Sequence, residues 1–172
     1  GKRITLSTGR AAENVRVRNN MTSGLKGHGS VPPTNNAWAI MLLDGGGYDI
    51  YYNSVNIPDD RTTPSIPSEN KHGGIYIAAS VPGVNIKNNN ICITGNPADP
   101  TGGRMYGIYS LNAAPFTSSD HNNLYVNGTL HATGFIGGND QVSLQDWRNA
   151  SGQDQNSVSV EPLFVSATDL HL

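Results

Sequence analysis

The amino-acid sequence predicts an all-β fold, a single-stranded parallel β-helix of about 4–6 coils with a short capping helix near the C-terminus. Three observations predict it. Similar segments recur every 33–36 residues, apolar and polar residues alternate within them, and the joining segments are rich in Gly, Asn and Pro. We expect residues 1–172 to form one such domain, as a piece of a longer protein.

Composition narrows the class of protein. The chain has 172 residues with 20 Gly and 10 Pro, and 14% are charged, which fits neither a helical bundle nor a charged disordered segment. The net charge is −2 without a long basic stripe, so nucleic acid is not an expected partner. We interpret Arg10, Arg16 and Arg18 as a solvated edge. Because Cys92 is the single cysteine, an intrachain disulfide is excluded. The sequence has no run of 18 apolar residues, so membrane insertion is not expected.

The first repeat series contains asparagines between short apolar runs. Tyr48–Ile57 aligns with Val84–Ile93 at an offset of 36 residues without a gap. Asn122–Val126 follows at a further 33 residues, and Asn19–Met21 precedes the first copy by 34. The same residue types therefore return at nearly constant spacing, as they do in repeat proteins.

A second repeat series supports the first. Ala39–Leu43 aligns with Gly74–Ala78 at 35 residues, and Gly107–Leu111 follows at 33. Arg3–Ser7 lies 36 residues before the first of these. One column holds Ile4, Ile40, Ile75 and Ile108, and a second holds Leu6, Leu42, Ile77 and Ser110. Two independent columns with matching periods indicate stacked, structurally equivalent segments.

Alternation with period two distinguishes this repeat from other repeat architectures. Helical solenoids can have a similar repeat length, but their apolar residues recur at helical spacing. A β-propeller blade needs about four antiparallel strands per repeat, whereas these repeats show about two clear strands and one long polar excursion. The excursions 25–36, 58–72 and 96–103 differ in length. In a parallel β-helix, loops of variable length emerge over a constant core of strands roughly 4.8 Å apart, and such loops often carry function.

The C-terminal region predicts the one helix. Ser143 is a suitable N-cap with Asp146 three residues later, and Gly152 suits the C-terminal stop, so we predict a helix over 143–151. This helix would cover the apolar end of the last coil. The segment 157–165 predicts one more strand, at the edge of a sheet because it contains a proline.

Four segments of the chain resemble a known superfamily. Asn14–Asn20, Val84–Ile91, Asp120–Gly128 and, most specifically, the tail Leu144–Leu172 resemble right-handed parallel β-helix modules of the pectin-lyase-like superfamily. Within it, the chain is similar to repeat proteins secreted or displayed by Bacteroidetes-type bacteria. The resemblance implies a right-handed helix, a secreted or cell-surface location, and neighbouring domains of the parent chain as partners. Members range from polysaccharide lyases and hydrolases to adhesin and scaffold segments, so the fold alone does not select a function.

Candidate catalytic and metal-binding residues are few. Calcium-dependent lyases stack several carboxylates, because Ca²⁺ takes 6–8 oxygen ligands. Here the acids are scattered, and Asp49 aligns with uncharged residues. Asp59 and Asp60 are the weak candidates for a calcium site, in a loop where a surface charge cluster is the alternative interpretation. His28 and His72 lack a third metal ligand, and no catalytic residue is predicted.

Aromatic residues are the candidate carbohydrate-binding groups. Alternation places Ile75 and Ile108 inside, so Tyr76 and Tyr109 point outward and align with Met41. We expect an exposed strip of these three residues, on which sugar rings could stack, unless a loop or neighbouring module covers it. Tyr51 is a further outward candidate on a different face.

Asparagine forms its own column at the junction of two strands in each coil. We predict a structural ladder of Asn19, Asn53, Asn89 and Asn122. Asparagine tolerates left-handed backbone geometry, and stacked amides can hydrogen-bond one another from coil to coil. The pattern gives no role to Asn88.

These observations favour a non-catalytic module of a secreted or cell-surface bacterial protein. It would act as a rigid scaffold or adhesin segment with weak contact to a polysaccharide or cell-surface glycan. The alternative is a polysaccharide-active enzyme on an acidic glycan, a lyase in preference to a hydrolase. No cofactor is expected unless calcium binds at Asp59 and Asp60.

Overall fold

The computed structural model describes residues 3–7, 14–25, 36–58, 71–97 and 103–172. Within these ranges the chain is mostly β-structure with one short helix, and nearly all neighbouring strands run parallel. The predicted all-β class with parallel sheets is therefore confirmed.

The strands form three sheets that the chain visits in turn. In spatial order, the first sheet contains β1 (Ile4–Leu6), β4 (Trp38–Leu42), β7 (Lys71–Ile77), β10 (Arg104–Ser110), β13 (His131–Ile136) and β14 (Asn139–Gln141). The second contains β11 (Phe116–Asp120), β8 (Val84–Lys87), β5 (Asp49–Tyr51) and β2 (Arg16–Arg18). The third contains β12 (Asn123–Val126), β9 (Asn90–Ile93), β6 (Ser54–Ile57) and β3 (Met21–Ser23).

Each group of three consecutive strands contributes one strand to every sheet. We call these groups repeats 1 to 4, from β1–β3 to β10–β12. All pairings between these strands are parallel, and only β13 with β14 forms an antiparallel pair among the named strands. A strand therefore lies beside its equivalents from the preceding and following repeats.

The strand register confirms the sequence columns in the first sheet. Ile40 pairs with Ile4 and with Ile75, and Ile75 pairs with Ile108. The second column is also in register, with Leu42 between its partners in repeats 1 and 3. Identical or similar branched side chains thus lie above one another, which suits the pleated surface of a parallel sheet.

One core cluster contains buried side chains from all three sheets. Its fully buried members include Ile50 and Ile86 from the second sheet and Ile57 and Ile93 from the third. Each such side chain contributes about 1.5–3 kcal/mol of transfer free energy on burial. Because every repeat supplies the same inward positions, the core continues from one repeat to the next.

The predicted helix is confirmed as α1 (Leu144–Ser151). Ser143 is the N-cap: its hydroxyl accepts from the Asp146 amide at 3.1 Å, and the Asp146 carboxylate accepts from the Ser143 amide at 3.0 Å. The Ser143 hydroxyl also donates to Asp146 Oδ2 at 2.7 Å, and this bond, together with the one from the Ser143 amide, lowers the pKa of Asp146. Trp147 is fully buried against Gly134, where a Cβ atom would lie 2.2 Å from the indole ring. Glycine therefore allows the helix to close this end of the core.

The prediction of a full strand over 157–165 was wrong. Only Val158 pairs, in an isolated parallel bridge with Asn123. Beyond it, the side chain of Asn123 takes the place of a strand partner, because its Oδ1 accepts from the Val160 amide at 3.0 Å and its Nδ2 donates to the Val160 carbonyl at 2.8 Å. The tail then crosses the third sheet, where Asn56 Nδ2 donates to the Ala167 carbonyl at 3.2 Å.

Candidate functional site

The predicted strip of Met41, Tyr76 and Tyr109 exists in register but is not exposed. Met41 pairs with Tyr76, and Tyr76 pairs with Tyr109. Their exposed fractions are only 1%, 4% and 2%. The prediction that these side chains form an exposed carbohydrate-binding surface was therefore wrong, because no sugar ring can reach buried faces.

These residues instead belong to a second apolar cluster, separate from the main core. The Tyr76 and Tyr109 rings are stacked with centroids 5.9 Å apart, and the Tyr109 and Phe135 rings are stacked at 4.4 Å. Trp38 packs against Tyr76 at 5.4 Å, and the Lys71 ammonium lies 5.7 Å from the Tyr109 ring centroid. Stacking of this kind stabilises neighbouring strands and leaves little aromatic surface for a ligand.

The polar groups at the edge of this cluster also interact with other residues of the protein. The Tyr106 hydroxyl donates to Asp140 Oδ1 at 2.9 Å, and Arg104 Nε lies 2.9 Å from Asp140 Oδ2. Burial, together with the charge of Asp140, raises the pKa of Tyr106 far above its usual value. Tyr106 is therefore a neutral structural donor and not a proton-transfer group.

The asparagine ladder is confirmed at Asn53, Asn89 and Asn122, all of which are buried. The Asn53 amide group Nδ2 donates to Asn89 Oδ1 at 2.9 Å, and Asn89 Nδ2 donates to Asn122 Oδ1 at 3.0 Å. Each Oδ1 also accepts from the backbone amide of the asparagine in the preceding repeat, at 3.0 Å in both cases. Asn89 Nδ2 further donates to the Ile50 carbonyl at 2.8 Å. The ladder thus satisfies buried backbone groups at the corner between the second and third sheets.

Asn19 is not part of this ladder, and its place is taken by Asn20. Asn20 Nδ2 donates to Asn53 Oδ1 at 2.9 Å, and its backbone amide donates to the same oxygen at 3.2 Å. Arg18 pairs with Tyr51, and Met21 pairs with Ser54, so the true offset here is 33 residues. The prediction was one residue out because two adjacent asparagines allow either alignment.

Asn19 belongs to a neighbouring column with left-handed backbone geometry. The φ angles are 57° at Asn19, 55° at Tyr52, 57° at Asn88 and 57° at His121. Each of these residues makes the bend that precedes a ladder asparagine or its equivalent. This column accounts for Asn88, for which the sequence pattern gave no role. Asn and His are enriched in this conformation, whereas a bulky aromatic residue such as Tyr52 is an outlier.

Tyr51 is half-buried, and the other carbohydrate-binding candidates that the sequence analysis named are fully buried. With Arg16, Arg18, Asn19 and Tyr52 it lines a groove of about 570 Å³ on the outer face of the second sheet. Tyr52 is 60% exposed, and the Arg16 side chain is 64% exposed. Sequence reasoning missed Tyr52 as a candidate, because the alternation pattern does not extend through a bend.

Asp49 holds two residues of this groove in place. Its Oδ2 lies 3.2 Å from Arg16 Nε, and its Oδ1 accepts from the Tyr51 hydroxyl and from Asn85 Nδ2, both at 3.0 Å. Partial burial raises the pKa of Asp49, but the bonds from Asn85, Tyr51 and Arg16 and the Arg16 charge outweigh it and lower the pKa overall. Burial and the carboxylate raise the pKa of Tyr51. At neutral pH the groove therefore combines guanidinium groups with a neutral phenol.

A buried aspartate at the C-terminal end was not predicted. Asp154 Oδ2 accepts from Trp147 Nε1 and from the Ser119 hydroxyl, both at 2.8 Å, while Oδ1 accepts from Asn122 Nδ2 at 2.9 Å and from the Ser157 hydroxyl. The carboxylate therefore ends the asparagine ladder and joins it to the capping helix. Its partners are far apart in sequence, so no short motif marks the site.

The surroundings of Cys92 and His72 indicate structural roles. Cys92 is buried beside a cavity of about 320 Å³ between the third sheet and the tail, and burial with the Glu161 charge raises the pKa of its thiol to about 11. The thiol is therefore protonated at neutral pH and is a poor nucleophile. His72 is buried, and its Nδ1 accepts from the Ala37 amide at 3.0 Å.

The remaining candidates and the comparisons add no assignment. Asp59, Asp60, Arg10 and His28 lie outside the described residues. Across the described ranges, no group of three His, Cys, Asp or Glu side chains could hold a metal ion. No helix in that part of the chain has the length and apolar character needed to cross a membrane.

The chain matches no protein-family model, no curated protein and no solved structure.

Proposed function

We propose that the chain is a right-handed parallel β-helix of the pectin-lyase-like kind, with one coil per repeat. The support is the order of the strands, since each repeat adds one parallel strand to each of three sheets. A shared core between the inward faces fits coils that close on themselves. A crystal structure in which the three sheets do not surround one core, or in which the coil is left-handed, would contradict this part of the proposal.

We further propose that this β-helix is a rigid, non-catalytic module of a secreted or cell-surface bacterial protein. It holds neighbouring domains apart and contacts a glycan without cleaving it. The asparagine ladder and the stacked aromatic cluster support rigidity, because they tie repeats together on the core side and on the outer side of the strands. Side-chain ladders of this kind resist slippage between repeats.

One observation carries the non-catalytic assignment: every aspartate within the described ranges accepts a hydrogen bond from another residue. The donors are Ser7 to Asp44 at 2.9 Å, Tyr51 to Asp49 at 3.0 Å, Asn156 to Asp120 at 2.8 Å, Tyr106 to Asp140 at 2.9 Å, Ser143 to Asp146 at 3.0 Å, Trp147 to Asp154 at 2.8 Å and His171 to Asp169 at 3.3 Å. Hydrolysis of a glycosidic bond needs a pair of carboxyl groups facing the substrate at a defined separation. These carboxylates serve structural partners instead.

Incubation with acidic polysaccharides tests this proposal. The purified chain is mixed with polygalacturonate and alginate, with calcium or with EDTA, and absorbance from unsaturated uronate products is recorded. Reducing ends are measured in parallel, because a hydrolase would form them without the absorbance change. We expect neither signal. Steady product formation above a heat-denatured control would overturn the non-catalytic assignment and favour a polysaccharide lyase or hydrolase.

A further inference from the structure

The outer face of the second sheet differs between its two ends. In repeats 1 and 2 it carries Arg16 and Arg18 beside Tyr51 and Tyr52. In repeat 4 the equivalent position carries Asp120, which accepts hydrogen bonds from Asn156 in the tail. Cationic and exposed aromatic groups are therefore concentrated at one end of this face.

We propose that the groove between Arg16, Arg18, Tyr51 and Tyr52 binds an anionic sugar, one that carries carboxylate or sulfate groups. The proposal rests on the glycan-contacting role proposed above and names the site and the ligand class. It places the site on the second sheet, away from the buried aromatic strip of the first sheet.

The arginines supply recognition of the anionic group. Guanidinium groups form paired, charge-assisted hydrogen bonds with carboxylate and sulfate oxygens. Arg16 and Arg18 lie two residues apart on one strand, so both side chains project from the same face, roughly 6.6 Å apart along the strand. Asp49 restrains Arg16 through Nε, and the side chain is still mostly exposed. Less rotational freedom is then lost when a ligand binds.

Tyr52 supplies the stacking surface, and its backbone is the strongest pointer to a function. Its φ of 55° is unfavourable for a bulky side chain, and the equivalent positions in the other repeats hold Asn19, Asn88 and His121. An exposed ring gains little from packing that would offset this cost. Unfavourable backbone conformations are retained mainly where the residue has a task, and an exposed phenol ring can stack on the apolar face of a sugar.

Other anionic ligands fit the groove less well. Nucleic acid would need a longer basic surface than two arginines and Lys87, which is next to Tyr51 in the strand register. A neutral glycan would leave the two guanidinium groups without a partner in the ligand. An anionic sugar uses both kinds of group.

Binding measurements on matched variants test the inference. Isothermal titration calorimetry would use heparin as the sulfated probe, polygalacturonate as the carboxylated probe, dextran as the neutral probe and a single-stranded DNA oligomer as the nucleic-acid probe. We expect at least one anionic glycan to bind and dextran not to bind. Tyr52→Asn and Arg18→Gln should each weaken binding by about tenfold, the size expected for loss of one stacking or charge-assisted contact.

The controls lie on other sheets. Tyr125→Asn removes a tyrosine from the third sheet, and Arg3→Gln removes one positive charge beside β1, so both should retain affinity within about twofold. Circular dichroism and thermal melting confirm that each variant is folded. Tyr52→Asn keeps a residue type that the same bend uses at Asn19 and Asn88, so loss of binding cannot be attributed to misfolding.

Each outcome decides between the two proposals. No binding to either anionic glycan, or unchanged binding by Tyr52→Asn and Arg18→Gln, would overturn the inference while the non-catalytic module stands. DNA binding as tight as glycan binding would also overturn it, since the site would then not select an anionic sugar. Turnover of polygalacturonate with binding through the groove would instead overturn the non-catalytic assignment and leave the site in place.

Discussion

Two neighbouring columns of residues at one corner of the protein are under different physical constraints. The ladder column, Asn20, Asn53, Asn89 and Asn122, bonds from repeat to repeat and is buried in repeats 2 to 4. The bend column, one residue earlier, is left-handed and contains Asn19, Tyr52, Asn88 and His121. A buried position that makes several hydrogen bonds accepts only one type of side chain. The bend requires only a residue that can adopt the left-handed backbone conformation. The bend column is therefore free to carry a functional residue.

The largest expected effect is at the C-terminal end of the ladder. Asp154→Ala would leave the buried Trp147 Nε1 and the Ser119 hydroxyl without their acceptor and would remove one of the acceptors of Asn122 Nδ2. We expect the free energy of unfolding to fall by about 3–5 kcal/mol, because several buried donors lose an acceptor and each unsatisfied donor costs about 1–3 kcal/mol. Chemical denaturation measures this. A loss below that of Asn89→Ala would show that the ladder does not depend on this anchor.

A pair of adjacent substitutions tests the comparison directly. Asn89→Ala removes bonds to Asn53, Asn122 and the Ile50 carbonyl, and we expect a loss of roughly 1–3 kcal/mol in the free energy of unfolding. Asn88→Gly, the matched control, changes an exposed bend residue to one that also adopts left-handed geometry, and it should cost less than about 1 kcal/mol. Glycan binding should be unchanged in both. Equal losses for the two variants would mean that the columns do not differ in the way proposed.

The same comparison can be made at the N-terminal end, with a smaller expected difference. Asn20→Ala should cost about 1 kcal/mol, because its contact with Asn53 is only partly buried. Asn19→Gly should cost less, because Asn19 lies in the bend and glycine also adopts its left-handed backbone conformation. If thermal melting ranked the two variants in the opposite order, Asn19 and not Asn20 would be the ladder residue.

The sequence predicts the repeats well because similar inward-facing residues return at each of them. Ile40, Ile75 and Ile108 could be aligned from spacing alone, and their register is as predicted. The helix also follows from local signals, the cap at Ser143 and the stop at Gly152. Both kinds of prediction depend on residues whose environment is set by their own repeat or turn.

The wrong or missing predictions concern residues whose surroundings are formed by distant parts of the chain. Alternation correctly indicates that the side chains of Tyr76 and Tyr109 point away from the main core. It does not indicate that Trp38 and other side chains bury them in a second cluster. Asp154 gains its role only when the tail meets residues some 30 positions earlier. Loop length varies between repeats, so spacing alone could not choose between Asn19 and Asn20.

The smallest expected effect on stability is the most informative about function. Tyr52→Asn replaces an aromatic residue in left-handed geometry by one that tolerates it, and the backbone bond from the residue 52 amide to the Lys87 carbonyl can remain. We expect the free energy of unfolding to stay constant or rise by about 0.5–1 kcal/mol, as strain at the bend is relieved. Urea denaturation of wild type and variant measures this, with Asn88→Tyr as the reciprocal variant that should lose a similar amount. Stability gained together with binding lost would mean that Tyr52 is kept for its ligand and not for the fold. A loss as large as that of Asn89→Ala would show that the ring supports the structure, and the reason for placing the site at this bend would disappear.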